Sequence, residues 1–220
     1  MAQLPLDLGH RASFGSDDFL VAPCNEAAVA WLDRWPDWPG PGLALWGPAG
    51  CGKSHLGHVF QARSGARLIQ PSELAERSLA SLAGGNGELV LDGAPPVDER
   101  ALLHLYNLLA ERRGHLLVLS REAPARWRVG LADLASRLAA MPAVRIDPPD
   151  EILIEGLLVK LFADRQLTVQ PEVVAYLVRR MERSFEAVRR TVERLDRESL
   201  ARRRPVTLPL AREIVESESA

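Results

Sequence analysis

The chain has 220 residues, a formal net charge of -2 and a hydrophobic fraction of 47%. This length suits one large or two small domains, and the near-neutral charge gives no general attraction to nucleic acid or to anionic membranes. The two cysteines, Cys24 and Cys51, are too few for a disulfide framework, and neither a membrane span nor an export leader is recognisable. We therefore predict a cytoplasmic protein without membrane partners.

Strand-like and helix-like segments alternate after a first helix, predicted at about 25–35. The strand-like segments are Leu43–Trp46, Arg67–Gln70, Leu89–Leu91, Leu116–Leu119 and Val144–Ile146. Segments with helical periodicity separate them, namely Leu56–Ala62, Ser72–Leu82 and Glu99–Arg112. This alternation predicts an α/β fold in which helices cover both faces of a parallel sheet.

After the prolines at 148–149 the strand pattern stops. The remaining periodic segments are all helical: Glu151–Arg165, Pro171–Glu182, Phe185–Arg203 and Leu210–Glu216. We therefore predict three parts, with an N-terminal segment at 1–22, an α/β domain at 23–148 and a small helical domain at 149–220.

The segment Gly47–Ser54 matches the phosphate-binding loop pattern in full, between a predicted strand and a predicted helix. Its glycines let successive backbone N–H groups face one anion, and the N-terminus of the helix faces the same point. Lys53 can reach the β- and γ-phosphates, and the hydroxyl of Ser54 is a ligand for Mg²⁺. The residues expected to bind ATP or ADP are Gly47, Pro48, Ala49, Gly50, Cys51, Gly52, Lys53 and Ser54.

A second part of the nucleotide site is predicted at Asp92, which follows the apolar strand Leu89–Leu91 and is the expected second ligand of Mg²⁺. Hydrolytic AAA+ ATPases usually have an acidic residue at the next position, where this chain has Gly93. Glycine cannot act as a base, and the nearby acids Asp98 and Glu99 lie where a helix N-terminus favours acidic residues. We expect nucleotide binding with weak hydrolysis.

Three further blocks, at 102–109, 116–119 and 130–138, resemble the Hda family of DnaA-related AAA+ proteins. The resemblance extends from the N-terminal leucines to Val215. It implies an AAA+ fold, with a five-stranded parallel sheet and a helical lid, and a role in negative regulation of replication initiation. It also implies that the DNA-binding domain of DnaA is absent, so that any contact with DNA is indirect.

The resemblance assigns two surfaces for protein partners. Arg137 falls on the family's arginine finger, which would complete the ATP site of DnaA and stimulate hydrolysis there. The segment at 3–8 resembles a peptide that binds the sliding clamp, the β subunit of DNA polymerase III. The residues implied in that contact are Gln3, Leu4, Leu6 and Leu8.

Two positions depart from the family pattern. Sensor 1 falls on Ser120 or its neighbour Arg121, and Ser120 is the candidate. The sensor-2 arginine aligns with Glu186, whose carboxylate would repel phosphate, so Arg189 is the candidate replacement one turn later. The choice between ADP and ATP and any homo-oligomer stay open. Alternative functions are an autonomous AAA+ ATPase acting as a helicase or clamp loader, and a pure adaptor.

Overall fold

The computed structural model describes residues 21–76, 78–94 and 98–218. These residues form two compact units, an α/β unit that ends at Asp147 and a helical unit that begins at Pro148. The proposed clamp-binding segment at 3–8 lies outside the described residues.

The α/β unit is built on a five-stranded sheet in which all neighbouring strands are parallel. Strands β1 to β5 are Gly42–Trp46, Arg67–Ile69, Glu88–Ala94, His115–Ser120 and Ala143–Arg145, in the spatial order β2-β3-β4-β1-β5. The predicted fold class is confirmed, and each predicted strand is present. β3 is longer than predicted because it continues through Asp92 to Ala94.

Helices α1 to α6 of this unit are Glu26–Asp33, Lys53–Ser64, Glu73–Glu76, Leu79–Leu82, Glu99–Arg112 and Ala132–Ala140. A single 3₁₀ turn at Pro124–Arg126 precedes α6. The segment Ser72–Leu82, predicted from its helical periodicity, contains two short helices, because Ser78 has an extended backbone and begins the second helix as its N-cap. Helix α6 has no counterpart among the predicted segments.

Two apolar clusters cover the two faces of the sheet. Because side chains alternate along a strand, Leu116 and Val118 of β4 contact one cluster, and Leu117 and Leu119 contact the other. The first cluster includes buried leucines of α5 and α6, and the second includes buried residues of α1 and α2. Burial of each of these leucines stabilises the folded state by roughly 1.5–3 kcal/mol. The strand ends that carry the candidate site are therefore held in place by a well-packed core.

The helical unit contains α7 to α10, which are Glu151–Asp164, Pro171–Arg180, Phe185–Arg202 and Leu208–Glu218. Side-chain caps begin two of these helices. Asp150 accepts a hydrogen bond from the Leu153 N–H at 2.8 Å, and Ser184 accepts one from the Ala187 N–H at 3.1 Å. The helical character predicted for this part is confirmed. Among the residues that the structure describes, no helix is long and apolar enough to cross a membrane.

Candidate nucleotide site

The loop Gly47–Ser54 connects the end of β1 to α2. Three of its glycines have positive φ angles, 158° at Gly47, 69° at Gly50 and 98° at Gly52, which residues with a Cβ rarely adopt. At Gly47 a Cβ would also overlap the carbonyl oxygen of Ile146, which follows β5. The glycines of the motif are therefore required both by the backbone conformation and by the close approach of a neighbouring chain segment.

Lys53 is the first residue of α2, and its side chain folds back over the loop. Its Nζ donates hydrogen bonds to the carbonyl oxygens of Gly47 at 2.9 Å and of Pro48 at 2.7 Å. Nζ also lies 3.6 Å from Sγ of the buried Cys51. The positive charge of the loop is thus held against the loop itself, where a bound phosphate group would replace the carbonyl oxygens as its partner.

Ser54 and Asp92 come together although they are far apart in sequence. The hydroxyl of Ser54 donates a hydrogen bond to Oδ2 of Asp92 at 2.9 Å. A hydroxyl and a carboxylate are the hard oxygen ligands that Mg²⁺ prefers, so this pair fits the predicted metal site. Within the described ranges no cluster of three or more His, Cys, Asp or Glu residues could hold a metal.

Gly93 is a bulge in β3. In the pairing with β4, Asp92 lies opposite Leu119 and Ala94 lies opposite Ser120, so Gly93 is the extra residue between them. Its φ is 96°, in the left-handed region that favours glycine. The missing acidic residue after Asp92 is therefore part of a backbone feature that disfavours any side chain, and not a simple loss of a carboxylate.

An open cavity of about 590 Å³ lies among the loop and the carboxyl ends of β3 and β4. Its size is within the usual range of small-molecule sites. It is lined by Ala49, Gly50, Lys53, Ser54, Asp92, Gly93, Leu119, Ser120, Arg121 and Glu122. The structure thus brings the predicted loop, the predicted carboxylate and the predicted sensor-1 residue to one cavity. Glu122 also lines the cavity and was not predicted from the sequence. Its position two residues after the end of β4 could have indicated this, because the carboxyl ends of the strands surround the cavity.

Ser120 is almost fully buried at the end of β4, with 2% of its surface exposed. Its Oγ donates a hydrogen bond to the carbonyl oxygen of Glu122 at 2.6 Å. Its own carbonyl oxygen accepts a hydrogen bond from the Gly47 N–H at 3.2 Å. Ser120 therefore joins the phosphate-binding loop to the turn that follows β4.

The acids Asp98 and Glu99 have structural roles. Asp98 is the N-cap of α5, where its Oδ1 accepts a hydrogen bond from the Ala101 N–H at 2.9 Å. Glu99 accepts hydrogen bonds from the N–H groups of Gly130 and Leu131, each at 2.9 Å to Oε2. These bonds fix the segment that leads into α6. The preference of a helix N-terminus for acids, predicted at these positions, agrees with these contacts.

Arg137 is on α6 and does not line the cavity. Its guanidinium carbon lies 5.7 Å from the centre of the Tyr106 ring on α5, and its buried Nε has no hydrogen-bond partner among the described residues. Burial raises the pKa of Tyr106 above its ordinary value, and the positive charge of Arg137 opposes that rise. An arginine finger acts in the site of another subunit, so its position outside this cavity is compatible with that role.

Arg189 and Glu186, the two sensor-2 positions, are on α9 of the helical unit. Both side chains are exposed. The contact of Arg189 with phosphate stays a prediction.

The α/β unit with its phosphate-binding loop, followed by the helical unit, has the fold of the AAA+ class of P-loop proteins. Residues 157–215, which make up most of the helical unit, match the family model of the Hda lid domain. The resemblance to DnaA-related AAA+ proteins of the Hda family, stated from the sequence, is confirmed to this extent.

Solved structures with the same fold include DnaA and RuvB. Domain III of the replication initiation protein DnaA from Thermotoga maritima has a TM-score of 0.76 at 18% identity, over 91% of this chain and 94% of that chain. AMPPCP-bound DnaA from Aquifex aeolicus has a TM-score of 0.65 at 18% identity, over 80% of this chain and 63% of that chain. The Thermotoga maritima RuvB Holliday junction branch migration motor has a TM-score of 0.69 at 13% identity, over 88% and 66% respectively. At these identities the similarity establishes the fold.

Proposed function

We propose that this protein is a nucleotide-binding regulator of replication initiation that stimulates the hydrolysis of ATP bound to DnaA. The observation that carries the proposal is the match of residues 157–215 to the Hda lid domain in a chain with a DnaA-like AAA+ fold. The geometry around Gly93 supports a regulator better than an independent ATPase.

The nucleotide in this proposal is ATP or ADP. The loop Gly47–Ser54 holds the phosphates, and Lys53 turns from the loop carbonyls to the phosphate oxygens. Ser54 and Asp92 hold Mg²⁺, which neutralises phosphate charge when it is bound. An adenine nucleotide analogue, AMPPCP, is bound by the DnaA of Aquifex aeolicus, whose fold this chain shares.

We assign Arg137 to the hydrolysis of ATP that is bound to the partner, DnaA. The guanidinium is planar, is charged at every physiological pH and donates several hydrogen bonds, so it can stabilise the charge that develops on a γ-phosphoryl group during transfer. The site that it completes is the ATP site of DnaA. Its buried Nε without a partner leaves this guanidinium less fully satisfied here than it would be against phosphate oxygens.

The segment at 3–8 is proposed to bind the sliding clamp. Gln3 would form hydrogen bonds at the rim of an apolar cleft that receives Leu6 and Leu8. Attachment to a clamp on DNA raises the effective concentration of Arg137 near DnaA without any new contact between the two proteins.

The second candidate is an autonomous AAA+ ATPase that acts as a helicase or clamp loader, and the similarity of the fold to the RuvB motor is the reason to test it. Such an enzyme needs a group that polarises the attacking water. Gly93 has no such group. The carboxylates of Asp98 and Glu99 already accept hydrogen bonds from backbone N–H groups, Asp98 at the start of α5 and Glu99 from the segment before α6. A steady-state ATPase assay of the purified protein separates the candidates, because the regulator should turn over ATP slowly without DnaA.

The proposal is tested by reconstituting hydrolysis of DnaA-bound ATP with this protein, clamp and DNA, each omitted in turn. We expect hydrolysis only in the full mixture, and Arg137→Ala should reduce the stimulation by roughly 10³-fold or more. Arg128→Ala, which removes an exposed arginine of the same unit, is the matched control and should behave like the wild type. Full stimulation by Arg137→Ala would exclude the finger and favour a pure adaptor.

A separate experiment tests the clamp contact. Changing Gln3 and Leu6 to alanine together should abolish binding to the clamp and leave nucleotide binding unchanged. Retained clamp affinity in this variant would remove the segment at 3–8 from the proposal.

A further inference from the structure

Helix α7 of the helical unit is apolar on nearly all of its sides. Four of its 14 residues are charged, and the others are apolar side chains and one glycine. The helix packs against α8 and α9, and its buried side chains include Leu153, Leu157 and Leu158. A helix that is hydrophobic all round is normally buried all round, because water is a poor environment for every side of it. The sequence of α7 therefore calls for more cover than α8 and α9 provide.

The outer side of α7 has an exposed apolar stripe. Ile152 and Val159 have 62% and 51% of their surfaces exposed, and Ala163 is exposed too. These residues are seven and four positions apart, so they lie along one side of the helix, with Gly156 between them. We call these four residues the α7 stripe. Exposed apolar patches of this kind mark surfaces that bind another chain.

Opposite charges border the α7 stripe on its two flanks. Glu155 is exposed and Lys160 is half-buried. At about 100° per residue, Glu155 lies on one side of Ile152 and Lys160 on the other, so the stripe runs between them. The two charges are five positions apart in the sequence. When two parallel helices pack along such a stripe, charges with this placement on opposite flanks pair between the helices.

We propose that the α7 stripe is a self-association surface, through which a second copy of this protein packs its own α7 in parallel. In this arrangement Ile152 packs against Ile152 of the second copy and Val159 against Val159. Gly156 and Ala163 alternate with these larger residues, and their small size lets the two helices approach closely. The proposal is independent of the function proposed above.

The charges select a second copy as the partner and parallel as the orientation. In the parallel arrangement Glu155 of each copy faces Lys160 of the other copy, so two symmetric ion pairs form. In an antiparallel arrangement the same flanks meet, which places Glu155 beside Glu155 and Lys160 beside Lys160. Like charges in contact oppose that alternative.

The association should be weak and reversible. A helix of 14 residues provides a smaller contact area than a stable protein interface needs. On the other hand, α7 is already folded and capped by Asp150, so dimerisation need not pay for helix formation. We expect a dissociation constant on the order of 10–100 µM.

Sedimentation of the full-length protein from about 1 µM to about 1 mM tests the apolar part of the contact. The wild type should change from monomer to dimer across this range. Changing Ile152 and Val159 to serine together should weaken the dimer by roughly tenfold or more. Leu200→Ser is the matched control, because it removes a side chain with 70% exposure from α9 and should leave the association unchanged.

Charge exchange tests the orientation. Lys160→Glu and Glu155→Lys should each weaken self-association several-fold, because both ion pairs become like-charge contacts. The two changes combined in one chain should restore the association of the wild type. An equimolar mixture of the two single variants should form a mixed dimer, in which each Glu155 again faces a Lys160 and each substituted pair is also of opposite charge. Circular dichroism and thermal unfolding check that each variant is folded.

Three outcomes would overturn the proposal. The first is a wild-type protein that stays monomeric up to 1 mM, and the second is a dimer that the double serine variant retains. The third is a dimer that Lys160→Glu leaves unchanged, which would exclude the parallel pairing. If the wild type is monomeric and the double serine variant loses the stimulation of DnaA, the α7 stripe binds DnaA and not a second copy.

Discussion

The guanidinium carbon of Arg137 lies 5.7 Å from the centre of the Tyr106 ring. The two residues are on neighbouring helices, Arg137 on α6 and Tyr106 on α5. A cation over an aromatic face gains roughly 0.5–2 kcal/mol, which is enough to restrict the directions that a long side chain samples. Tyr106 is thus the residue that holds the proposed finger in its resting position.

The stimulation of hydrolysis of DnaA-bound ATP should depend on whether residue 106 has an aromatic ring, and not on the hydroxyl group of Tyr106. Tyr106→Phe keeps the ring and should keep most of the activity of the wild type. Tyr106→Leu removes the face and should reduce the stimulation several-fold, because Arg137 must then be ordered at the moment of docking. The weaker stimulation should appear as a higher half-saturating concentration of DnaA. Equal activities of the Phe and Leu variants would contradict a cation–π contribution.

The ionisation of Tyr106 offers a direct measurement of the same contact. Burial raises its pKa above the ordinary value and Arg137 opposes the rise, so Arg137→Ala should raise the pKa further. The unfolded chain ionises this phenol first, so the folded state loses stability as the pH rises from about 10 through the folded pKa.

The measurement is an ultraviolet titration in a Tyr176→Phe background, which leaves Tyr106 as the single tyrosine because the chain has two. An unchanged or lower pKa of Tyr106 in Arg137→Ala would contradict an effect of the Arg137 charge on the phenol. Chemical unfolding at alkaline pH should show a larger loss of stability for Arg137→Ala than for the parent protein, because the folded pKa of Tyr106 in the variant lies further above that of the unfolded chain.

Gly93→Glu tests whether the missing base can be restored by one substitution. The φ of 96° should make the variant less stable by about 1–3 kcal/mol, since residues other than glycine are strained there. A Cβ at this position would meet Oε1 of Gln70 at an ordinary 3.7 Å, so the cost is conformational and not steric. Gly93→Asn should cost less, because asparagine tolerates positive φ. A stable and rapidly hydrolysing Gly93→Glu protein would contradict the bulge as a barrier.

Glu99→Gln should loosen the segment that leads into α6. Its carboxylate accepts hydrogen bonds from Gly130 and Leu131, and loss of the negative charge should lower the free energy of unfolding by about 1–2 kcal/mol. Glu111→Gln, an exposed glutamate on the same helix, is the control and should stay within about 0.5 kcal/mol of the wild type. Urea unfolding of both variants gives the comparison, and equal stabilities would show that the Glu99 contacts contribute little.

Local patterns were enough to predict the phosphate side of the candidate site. The glycine spacing of Gly47–Ser54 and the apolar strand before Asp92 are local signals, and each predicts its own geometry. The meeting of Ser54 with Asp92 also follows from the sequence, because the carboxyl ends of parallel strands lie at one edge of the sheet.

The features that could not be predicted depend on contacts between distant segments. The bulge at Gly93 is defined by the register of β3 against β4. A glycine in a sequence does not predict a bulge by itself, because glycine also occurs in turns, loops and helix ends. The bonds from Glu99 to the segment before α6 join residues 31 and 32 positions apart. No local pattern predicts that Arg137 lies against Tyr106. None predicts that Ser120 and Trp127 both donate hydrogen bonds to the carbonyl oxygen of Glu122.

The hydrogen bond between Ser54 and Asp92 sets a threshold for the entry of a divalent cation. Asp92 already accepts a proton donor at 2.9 Å, so a cation that binds here would have to replace a charge-assisted hydrogen bond instead of meeting a bare carboxylate. The net gain from these two ligands alone is therefore small, and phosphate oxygens would have to supply the remainder. In such a site the cation and the nucleotide enter as one unit, and the carboxylate of Asp92 keeps its hydrogen bond to Ser54 until they arrive together.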